Sequence, residues 1–463
     1  MKRKKLPPGE MGLPWLGETM DFFNAQRRNR LFEDFVDPRI RKHGKIFKTR
    51  LMGSATVVVN GSEANKFILS NEFKLVKSSW PSSSVQLMGK ESIMEKDREG
   101  HRCLRGVIST SFGYNGLETI VPKICDVVQN HIARNWHIGG QDDQIVHLYH
   151  STKVLTFKIV FECLLGMEVE EEMVDTFERV LEGVFCPPLM IPGSKFWRAK
   201  KARREIEKML VNVVREKRRE IEEERRLKKK KEEEEDGNNG MLLCKLVCGM
   251  IEGEISEEEV VDNVVLLVFA AHDTTSFAIA MTFKMLAQHQ DCYTKLLQEH
   301  GDIRKSKRLG ENLTMEDIKK MKYTWQVARE SMRLFPPIFG SFRKAITDIH
   351  YEGFTIPKGW KVLWTAYGTH YNEEYFKDAL KFKPSRFEEA IPSYVFVPFG
   401  GGPRLCAGYQ LAKLNILIFV HYVVTQFEWS LIHPHEPIIM DPLPLPSLGM
   451  PIKISPLTQP QKY

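Results

Sequence analysis

The chain has 463 residues, of which 42% are hydrophobic and 27% charged, as in an ordinary globular protein, and no strong linker or internal repeat divides it. The formal net charge of +7 is modest and no nucleic-acid-binding motif is present, which argues against a nucleic-acid partner. The eight cysteines are scattered without a C-x-x-C pair, so we expect reduced thiols in a cytosolic environment.

A basic segment over residues 1–5 opens the chain and runs into a proline-rich stretch at 6–9. No run of about 18 or more apolar residues follows it or occurs elsewhere, so we expect no membrane anchor in this chain. Basic residues contribute about 1 kcal/mol each near an anionic membrane, which predicts weak peripheral attachment.

The long stretches with helical apolar periodicity predict a mainly α protein with small β-sheets. The predicted helices cover residues 117–137, 148–165, 171–186, 200–224, 256–288, 313–335 and 406–426. Short strands are predicted at 53–60, 348–356 and 360–366. The Pro/Leu-rich stretch from Asp441 to Pro451 is expected to lack regular structure.

Mixed charges crowd residues 199–235. Charges of both signs at helical spacing predict a solvated helix end that runs into a loop. The glycine- and asparagine-rich stretch 236–240 is expected to break the helix there.

Residues 100–105 are predicted to open an amphipathic helix that carries His101 and Arg105. Taken alone, His101 is explained equally well as an isolated surface histidine and as a ligand-binding group. Its meaning therefore depends on other parts of the chain.

The predicted helix over 261–286 contains a buried apolar run that Asp273 and Thr274 interrupt. An acid and a hydroxyl inside an apolar helix are costly unless they are hydrogen-bonded. A threonine bonded back to a helix carbonyl beside a surface aspartate would explain them, and so would a functional acid–hydroxyl pair.

Glu330 and Arg333 lie three residues apart on one predicted helix, just before the helix stop at Pro336 and Pro337. Alone, this spacing is most often a surface ion pair. Arg386 follows within the stretch Pro384 to Phe387, between that helix and the end of the chain.

The stretch from Phe399 to Gly408, FGGGPRLCAG, is the most informative in the chain. Its glycines allow the backbone to lie close to a flat ligand. Cys406 precedes an apolar helical run, so N–H groups at the helix start would favour a metal-binding thiolate. Arg404 offers a permanent cation to an acidic group of the same ligand.

This stretch resembles the haem-binding loop of the cytochrome P450 superfamily, F-x-x-G-x-R-x-C-x-G, at every fixed position. The resemblance implies the cytochrome P450 fold in one catalytic domain over residues 6–463, and haem b as the cofactor. It assigns Cys406 as the axial thiolate and Arg404 as a contact to a haem propionate.

Further positions resemble elements of that family. Glu330 and Arg333 match its E-x-x-R motif, and Arg386 its P-x-R-F element; together they imply a structural lock behind the cysteine loop. His101 and Arg105 resemble a W-x-x-x-R element with histidine in place of tryptophan, which implies that they bind a propionate.

Two more resemblances complete the predicted site. Arg343 stands ten residues after Arg333, where many members carry a propionate-binding arginine. The oxygen-activation motif A-G-x-D-T-T implies that Asp273 relays protons while Thr274 hydrogen-bonds the oxygen being activated. Ala271 departs from the usual glycine of that motif, and its methyl group narrows the groove over the iron.

The predicted substrate-facing residues are nearly all apolar, which favours a bulky hydrophobic substrate. They are Val85, Leu87, Met88, Phe269, Ala270, Ile338, Phe339 and Leu448.

We therefore expect a monooxygenase that inserts one oxygen atom from O2 into a hydrophobic substrate, a terpenoid or sterol as in the plant clan that the motifs resemble. The resemblance implies electrons from NADPH through cytochrome P450 reductase, and the cytosolic face of the endoplasmic reticulum membrane as location. Two alternatives stay open: a haem-thiolate isomerase or dehydratase that works without O2, and a non-catalytic haem-binding sensor.

Overall fold

The computed structural model describes residues 5–136, 144–169, 171–231, 241–308, 310–441 and 443–457. Most of the basic segment predicted at 1–5, and the helix break predicted at 236–240, lie outside these residues.

Helices dominate the described residues. They are α1 (Thr19–Arg27), α2 (Asp37–His43), α3 (Ser62–Ser70), α4 (Ser82–Met88), α5 (Arg98–Ser111), α6 (Tyr114–Asn135), α7 (Leu148–Lys158), α8 (Glu171–Gly183), α9 (Lys195–Lys231), α10 (Leu242–Ile251), α11 (Glu257–Gln288), α12 (Gln290–Lys305), α13 (Met315–Lys320), α14 (Lys322–Leu334), α15 (Tyr367–His370) and α16 (Tyr409–Val424). Two π-helical segments, Phe32–Val36 and Ile159–Leu165, continue into or out of these helices.

The strands are short. They are β1 (Ile46–Leu51), β2 (Ser54–Val59), β3 (Val76–Ser78), β4 (Gln144–His147), β5 (Gly340–Ala345), β6 (Ile349–Tyr351), β7 (Phe354–Ile356), β8 (Lys361–Thr365), β9 (Phe427–Leu431), β10 (Ile438–Met440), β11 (Pro444–Pro446) and β12 (Pro451–Pro456).

The largest sheet has five strands in the order β1-β2-β8-β5-β3. Its one parallel pair joins β2 to β8, with Val57 opposite Val362, and the other pairs are antiparallel. A three-stranded sheet has the order β4-β12-β9, and two hairpins pair β6 with β7 and β10 with β11. The predicted class, mainly α with small sheets, is confirmed.

Helix α11 runs through the main hydrophobic core and starts at a capping box. The Ser256 side chain accepts the Glu259 N–H, and the Glu259 carboxylate accepts the Ser256 N–H. By length and hydropathy α11 could cross a membrane, although 61% of its most apolar window is buried inside the fold.

Two predicted elements differ from the structure. The helix expected over 313–335 is two helices, because Met321 leaves the helical conformation and the Glu299 carboxylate accepts the N–H groups of Tyr323 and Thr324, which caps a new helix start. The stretch expected to be irregular after Asp441 contains β11, whose prolines are tolerated because a two-stranded ribbon leaves edge N–H positions unused.

Candidate active site

The cysteine loop lies between Val397 and the start of α16 at Tyr409. The Cys406 N–H donates to the Phe399 carbonyl at 3.0 Å and closes the loop. Gly402 adopts φ +67°, and a Cβ there would lie 2.1 Å from the Leu69 carbonyl oxygen, so this position requires glycine. Helix α16 begins at Tyr409, three residues later than predicted. Cys406 accordingly lies in the loop that precedes the helix.

Cys406 is solvent-accessible by its surface area, yet protein atoms crowd its thiol. A sulfur that is both solvent-accessible and surrounded by protein atoms faces a recess of the fold and not its outer surface. Burial raises the pKa of the Cys406 thiol, although the Gly408 N–H and the Arg105 guanidinium act to lower it. Burial thus opposes the thiolate that the helix start was expected to favour, and a bound metal would favour the ionised form.

Two of the arginines predicted to bind the cofactor share one buried acid. Arg404 Nε lies 2.8 Å from Glu72 Oε1, and Arg343 Nε lies 2.7 Å from Glu72 Oε2. The Arg404 guanidinium also donates to the carbonyls of Ile93, Met94 and Lys96 at 3.0–3.1 Å. Glu72 had no sequence signal, since its partners lie hundreds of residues away.

His101 and Arg105, on α5, join the same cluster. The His101 ring packs on Phe73 at 5.2 Å, and the Arg404 guanidinium lies 4.8 Å from that phenyl ring. Burial, with Arg404 and Arg105 nearby, lowers the pKa of His101 to about 4, so its imidazole is neutral at physiological pH. His101 is buried, which excludes the alternative of an isolated surface histidine.

Arg105 connects this cluster to the cysteine loop, because its guanidinium donates to the Leu405 carbonyl at 2.6 Å. Arg343 and Arg404 thus pair with Glu72 beside the neutral His101, and Arg105 joins this cluster to Leu405; the charge of Glu95 also acts on Arg404. This donor set fits a metal-bearing ligand with carboxylate side groups, such as haem.

The middle of α11 is accessible, although it lies between two buried stretches of the same helix, residues 260–265 and 275–283. Ala270 is exposed there, and Ala271, Asp273 and Thr274 are partly exposed. A helix inside the core can expose its middle only toward an internal opening, which is where a substrate and oxygen would have to lie.

Asp273 is tied into an ion-pair network rather than free at the surface. Its Oδ1 lies 3.3 Å from Lys153 Nζ and 3.4 Å from the Tyr149 hydroxyl, both on α7. Lys153 Nζ also lies 3.0 Å from Glu178 Oε1, and the Glu178 side chain is 38% exposed. Burial would raise the pKa of Asp273, but hydrogen bonding and charge from His272 and Lys153 lower it, so the carboxylate is ionised.

Thr274 donates its hydroxyl hydrogen to the Ala270 carbonyl at 2.7 Å. The back-bonded threonine considered from the sequence is therefore present, while the surface aspartate considered with it is not. With its hydrogen engaged, the Thr274 oxygen remains available as an acceptor.

The Glu330–Arg333 pair of the predicted lock is completely buried, which excludes a surface ion pair. Arg333 Nε and Nη2 bond the two Glu330 carboxylate oxygens at 2.7 and 2.8 Å, and both side chains are 0% exposed. Arg386 Nε reaches Glu330 Oε1 at 3.2 Å. Arg333 Nη1 further donates to the carbonyls of His370 and Ala379, each at 2.6 Å.

His370 links this lock to the cysteine loop and was not identified from the sequence. Its carbonyl accepts from Arg333, while its ring Nε2 accepts the Val397 N–H at 3.0 Å. The Val397 carbonyl in turn accepts the Gly400 N–H at 3.0 Å. Only the folded chain shows this connection, because nothing in the spacing marks His370.

The predicted substrate-facing residues divide into two groups. Leu87 and Met88 are fully buried, and a Cβ at Gly183 would lie 3.0 Å from Leu87, so α4 turns Leu87 against α8 rather than toward an opening. Phe339 is partly exposed and packs on Phe22 in a separate N-terminal cluster.

Phe269 borders a cavity of only about 10 Å³ together with Phe157, Phe177 and His272, which does not admit a substrate. The other predicted residues, Val85, Ala270, Ile338 and Leu448, are at least partly exposed. A recess of about 560 Å³ elsewhere, lined among others by His289, Phe335 and Lys381, includes none of the predicted site residues.

The family model "Cytochrome P450" matches residues 7–456. The chain is 39% identical over 460 residues to the taxane 13-alpha-hydroxylase of Taxus cuspidata, covering 97% of this chain and 92% of that protein. It is 37% identical over 458 residues to the beta-amyrin 28-monooxygenase of Medicago truncatula, covering 97% and 92%.

Among solved structures, retinoic acid bound cyanobacterial CYP120A1 superposes with a TM-score of 0.85 at 29% identity. The match covers 98% of this chain and 100% of that chain. Sequence and structure similarity therefore extend over nearly the whole chain.

Proposed function

This chain belongs to the cytochrome P450 family and is a haem-dependent monooxygenase, and we propose that its substrate is a bulky terpenoid or sterol. The supporting observation is that Ala270 is exposed in the middle of the core helix α11, one helical turn from the charged Asp273, and that no charged residue is among the accessible positions predicted to face substrate. Relatives named for a taxane and for beta-amyrin, both polycyclic hydrocarbon skeletons, support the same class.

The reaction consumes the substrate, O2, two electrons and two protons, and yields the hydroxylated product and water. A haem held by Cys406 would supply the activation of O2, and its thiolate ligand would favour cleavage of the O–O bond. We propose haem b, with Cys406 as thiolate ligand and Arg105, Arg343, Arg404 and His101 as donors to its carboxylates.

Two residues of α11, Asp273 and Thr274, would take part in proton delivery to the site of oxygen activation. Asp273 remains ionised beside Lys153, and the Lys153–Glu178 pair reaches the protein surface. We infer that this chain of groups carries protons inward, and that the Thr274 oxygen accepts a hydrogen bond at the site of oxygen activation. Ala271 borders the same opening, so its methyl group limits the room for water there.

We propose NADPH–cytochrome P450 reductase as the electron donor, since no flavin or nicotinamide fingerprint occurs in the sequence. Arg102 is exposed on α5, the helix that also reaches the cysteine loop through Arg105. A basic surface there suits an acidic reductase surface.

We further propose association with the cytosolic face of the endoplasmic reticulum membrane. Two stretches expose large apolar side chains, which is unusual for a water-facing surface. They are Leu13, Trp15 and Met20 near the N-terminus, and Leu189, Met190 and Ile191 between α8 and α9.

Purified protein with plant reductase and NADPH tests the proposal against a panel of diterpenes, triterpenes and sterols. We expect at least one of them to shift the haem spectrum and to give a hydroxylated product only when O2, NADPH and reductase are all present. Turnover of a hydroperoxide without O2 or reductase would instead favour the isomerase or dehydratase, and haem binding without turnover of any compound would favour a sensor.

Replacing Thr274 with alanine is expected to retain the haem spectrum and substrate affinity but to lower product formed per NADPH consumed several-fold, with peroxide released instead. The reason is that the variant loses the acceptor oxygen beside the opening. Asp273→Asn should slow turnover and enlarge the solvent isotope effect, because the Lys153 contact loses its charge.

The matched control is Thr282→Ala, since Thr282 bonds back to the Ala278 carbonyl at 2.7 Å on the same helix but is buried. This variant should keep the wild-type ratio of product to NADPH. A Thr274→Ala enzyme with the wild-type ratio would remove the oxygen-activation role and favour the alternatives.

A further inference from the structure

We propose that Glu72 is a positioning residue of the cofactor site: its buried carboxylate holds Arg343 and Arg404 side by side and sets the charge of the cluster that receives the cofactor carboxylates. The inference rests on membership of the family and on the geometry around Glu72. It does not depend on the identity of the substrate.

Glu72 lies just after α3, in a tight turn that precedes β3. The N–H groups of Lys74 and Leu75 bond the Asn71 carbonyl at 3.1 and 3.0 Å, which turns the chain so that Glu72 faces inward and is only 3% exposed. The Ser78 N–H donates to Glu72 Oε1 at 2.8 Å. The backbone thus fixes the carboxylate independently of the arginines.

Each carboxylate oxygen faces the Nε of one guanidinium, as a hydrogen bond from Arg404 and as an ion pair without hydrogen-bond alignment with Arg343. Oε1 lies 2.8 Å from Arg404, and Oε2 lies 2.7 Å from Arg343, so the acid separates two cations that would otherwise repel each other. Burial lowers the pKa of both arginines, and the nearby Glu72 charge opposes that shift. A buried carboxylate is stable only when paired in this way.

The arrangement leaves donors for a ligand. Arg343 Nη1 bonds Ser341 at 2.7 Å and the Phe342 carbonyl at 3.2 Å, and within the described residues its Nη2 has no partner. Glu72 occupies the Nε side of the Arg343 guanidinium. The opposite edge of the guanidinium is therefore the one left to donate hydrogen bonds to a ligand carboxylate.

Charge balance points the same way. Arg105, Arg343 and Arg404 carry three positive charges, and the buried Glu72 reduces the sum of these four groups to two, which suits a ligand with two carboxylates. Glu95 also acts on Arg404, but burial raises the pKa of its carboxyl. Without Glu72 the loaded site would carry one more positive charge. A positive charge near a metal stabilises its reduced form, so the reduction potential should rise.

The test uses the haem-loaded enzyme without substrate, so its outcome is independent of the proposed substrate class. Two quantities are measured: the rate at which haem transfers to an excess of apomyoglobin, and the midpoint potential of the iron. For Glu72→Gln we expect haem loss at least tenfold faster than in the wild type and a more positive midpoint potential.

Glu72→Asp separates charge from geometry, because the shorter carboxylate keeps its charge but cannot span both guanidiniums. Its midpoint potential should stay near the wild-type value while haem loss accelerates, and this variant decides the question if Glu72→Gln does not fold. Glu99→Gln, an exposed acid in the first turn of α5, should match the wild type in both measurements.

A lower unfolding temperature in the Glu72 variants, with haem loss and midpoint potential unchanged, would assign Glu72 a purely structural role and overturn the proposal. The same holds if Glu99→Gln shifts the potential as much as Glu72→Gln, since the effect would then be a general surface-charge effect.

Discussion

Replacing Cys406 with serine is expected to abolish the thiolate signature of the ferrous carbon-monoxide complex and to reduce monooxygenase activity to background. A serine hydroxyl is not ionised at neutral pH and is a poor iron ligand, whereas a coordinated cysteine is deprotonated by its metal. The measurement is the absorption spectrum of the reduced, carbon-monoxide-treated protein.

The surrounding loop should remain intact in this variant. Its closing hydrogen bond runs from the Cys406 N–H to the Phe399 carbonyl, and Gly402 keeps its place against Leu69, so neither feature involves sulfur. We therefore expect Cys406→Ser to fold and to retain the Arg404–Glu72 pair. This separates the loss of the ligand from a loss of structure.

Cys103→Ser is the matched control. Cys103 lies on α5, and its thiol contacts the Glu254 carbonyl at 3.7 Å. Its replacement should leave the carbon-monoxide spectrum unchanged. A Cys406→Ser protein that keeps the thiolate spectrum would show that another residue binds the iron.

Continuous motifs were the part of this site that the sequence could predict. The loop around Cys406 is ten consecutive residues, and Glu330 and Arg333 share one helix, so each pattern is visible without the fold. The mainly helical class could also be predicted from consecutive residues, because a long apolar pattern such as that of α11 indicates a helix without knowledge of the fold.

What the sequence missed depends on contacts between distant segments. Glu72 and Arg404 are 332 residues apart, and Lys153 reaches Asp273 from another helix. His370 acts through one backbone oxygen and one ring nitrogen, which no residue pattern reveals. The burial of Leu87 against α8 could not be predicted for the same reason, since packing between the two helices sets its direction.

Electrostatic expectations were also limited by burial. The sequence suggested that the start of α16 stabilises a thiolate at Cys406, but desolvation of the surrounded sulfur outweighs the Gly408 N–H and raises the pKa of the thiol. The degree of burial is a property of the fold and cannot be obtained from spacing.

Replacing Arg333 with alanine should have the second large effect: protein that expresses without haem or does not accumulate. The change leaves the Glu330 carboxylate with Arg386 at 3.2 Å and the Lys383 N–H at 2.9 Å as its remaining partners. It also removes the hydrogen bonds that Arg333 Nη1 donates to the carbonyls of His370 and Ala379. Breaking a buried pair in this way costs about 3–5 kcal/mol, a large part of the roughly 5–15 kcal/mol that stabilises a typical domain.

The effect reaches the iron site through His370. Arg333 holds the His370 carbonyl, and the ring of the same residue holds the Val397 N–H, two residues before the cysteine loop. Once Arg333 is removed, that carbonyl loses its guanidinium donor, and the loop that presents Cys406 loses the support that runs through His370. The ratio of haem to protein absorbance and the unfolding midpoint measure the two consequences separately.

Arg329→Ala is the matched control on the same helix, because Arg329 is partly exposed and its guanidinium lies 4.1 Å from the Phe387 ring without joining the lock. It should keep its haem and lose about 1 kcal/mol, the scale of a partly exposed cation–π contact. Arg333→Lys should fall between the two, since an ammonium keeps the charge but cannot form the bidentate bond to Glu330 while reaching two carbonyls. Stable, fully haem-loaded Arg333→Ala protein would mean that the lock does not support the cysteine loop, and that His370 and Val397 are held by other contacts.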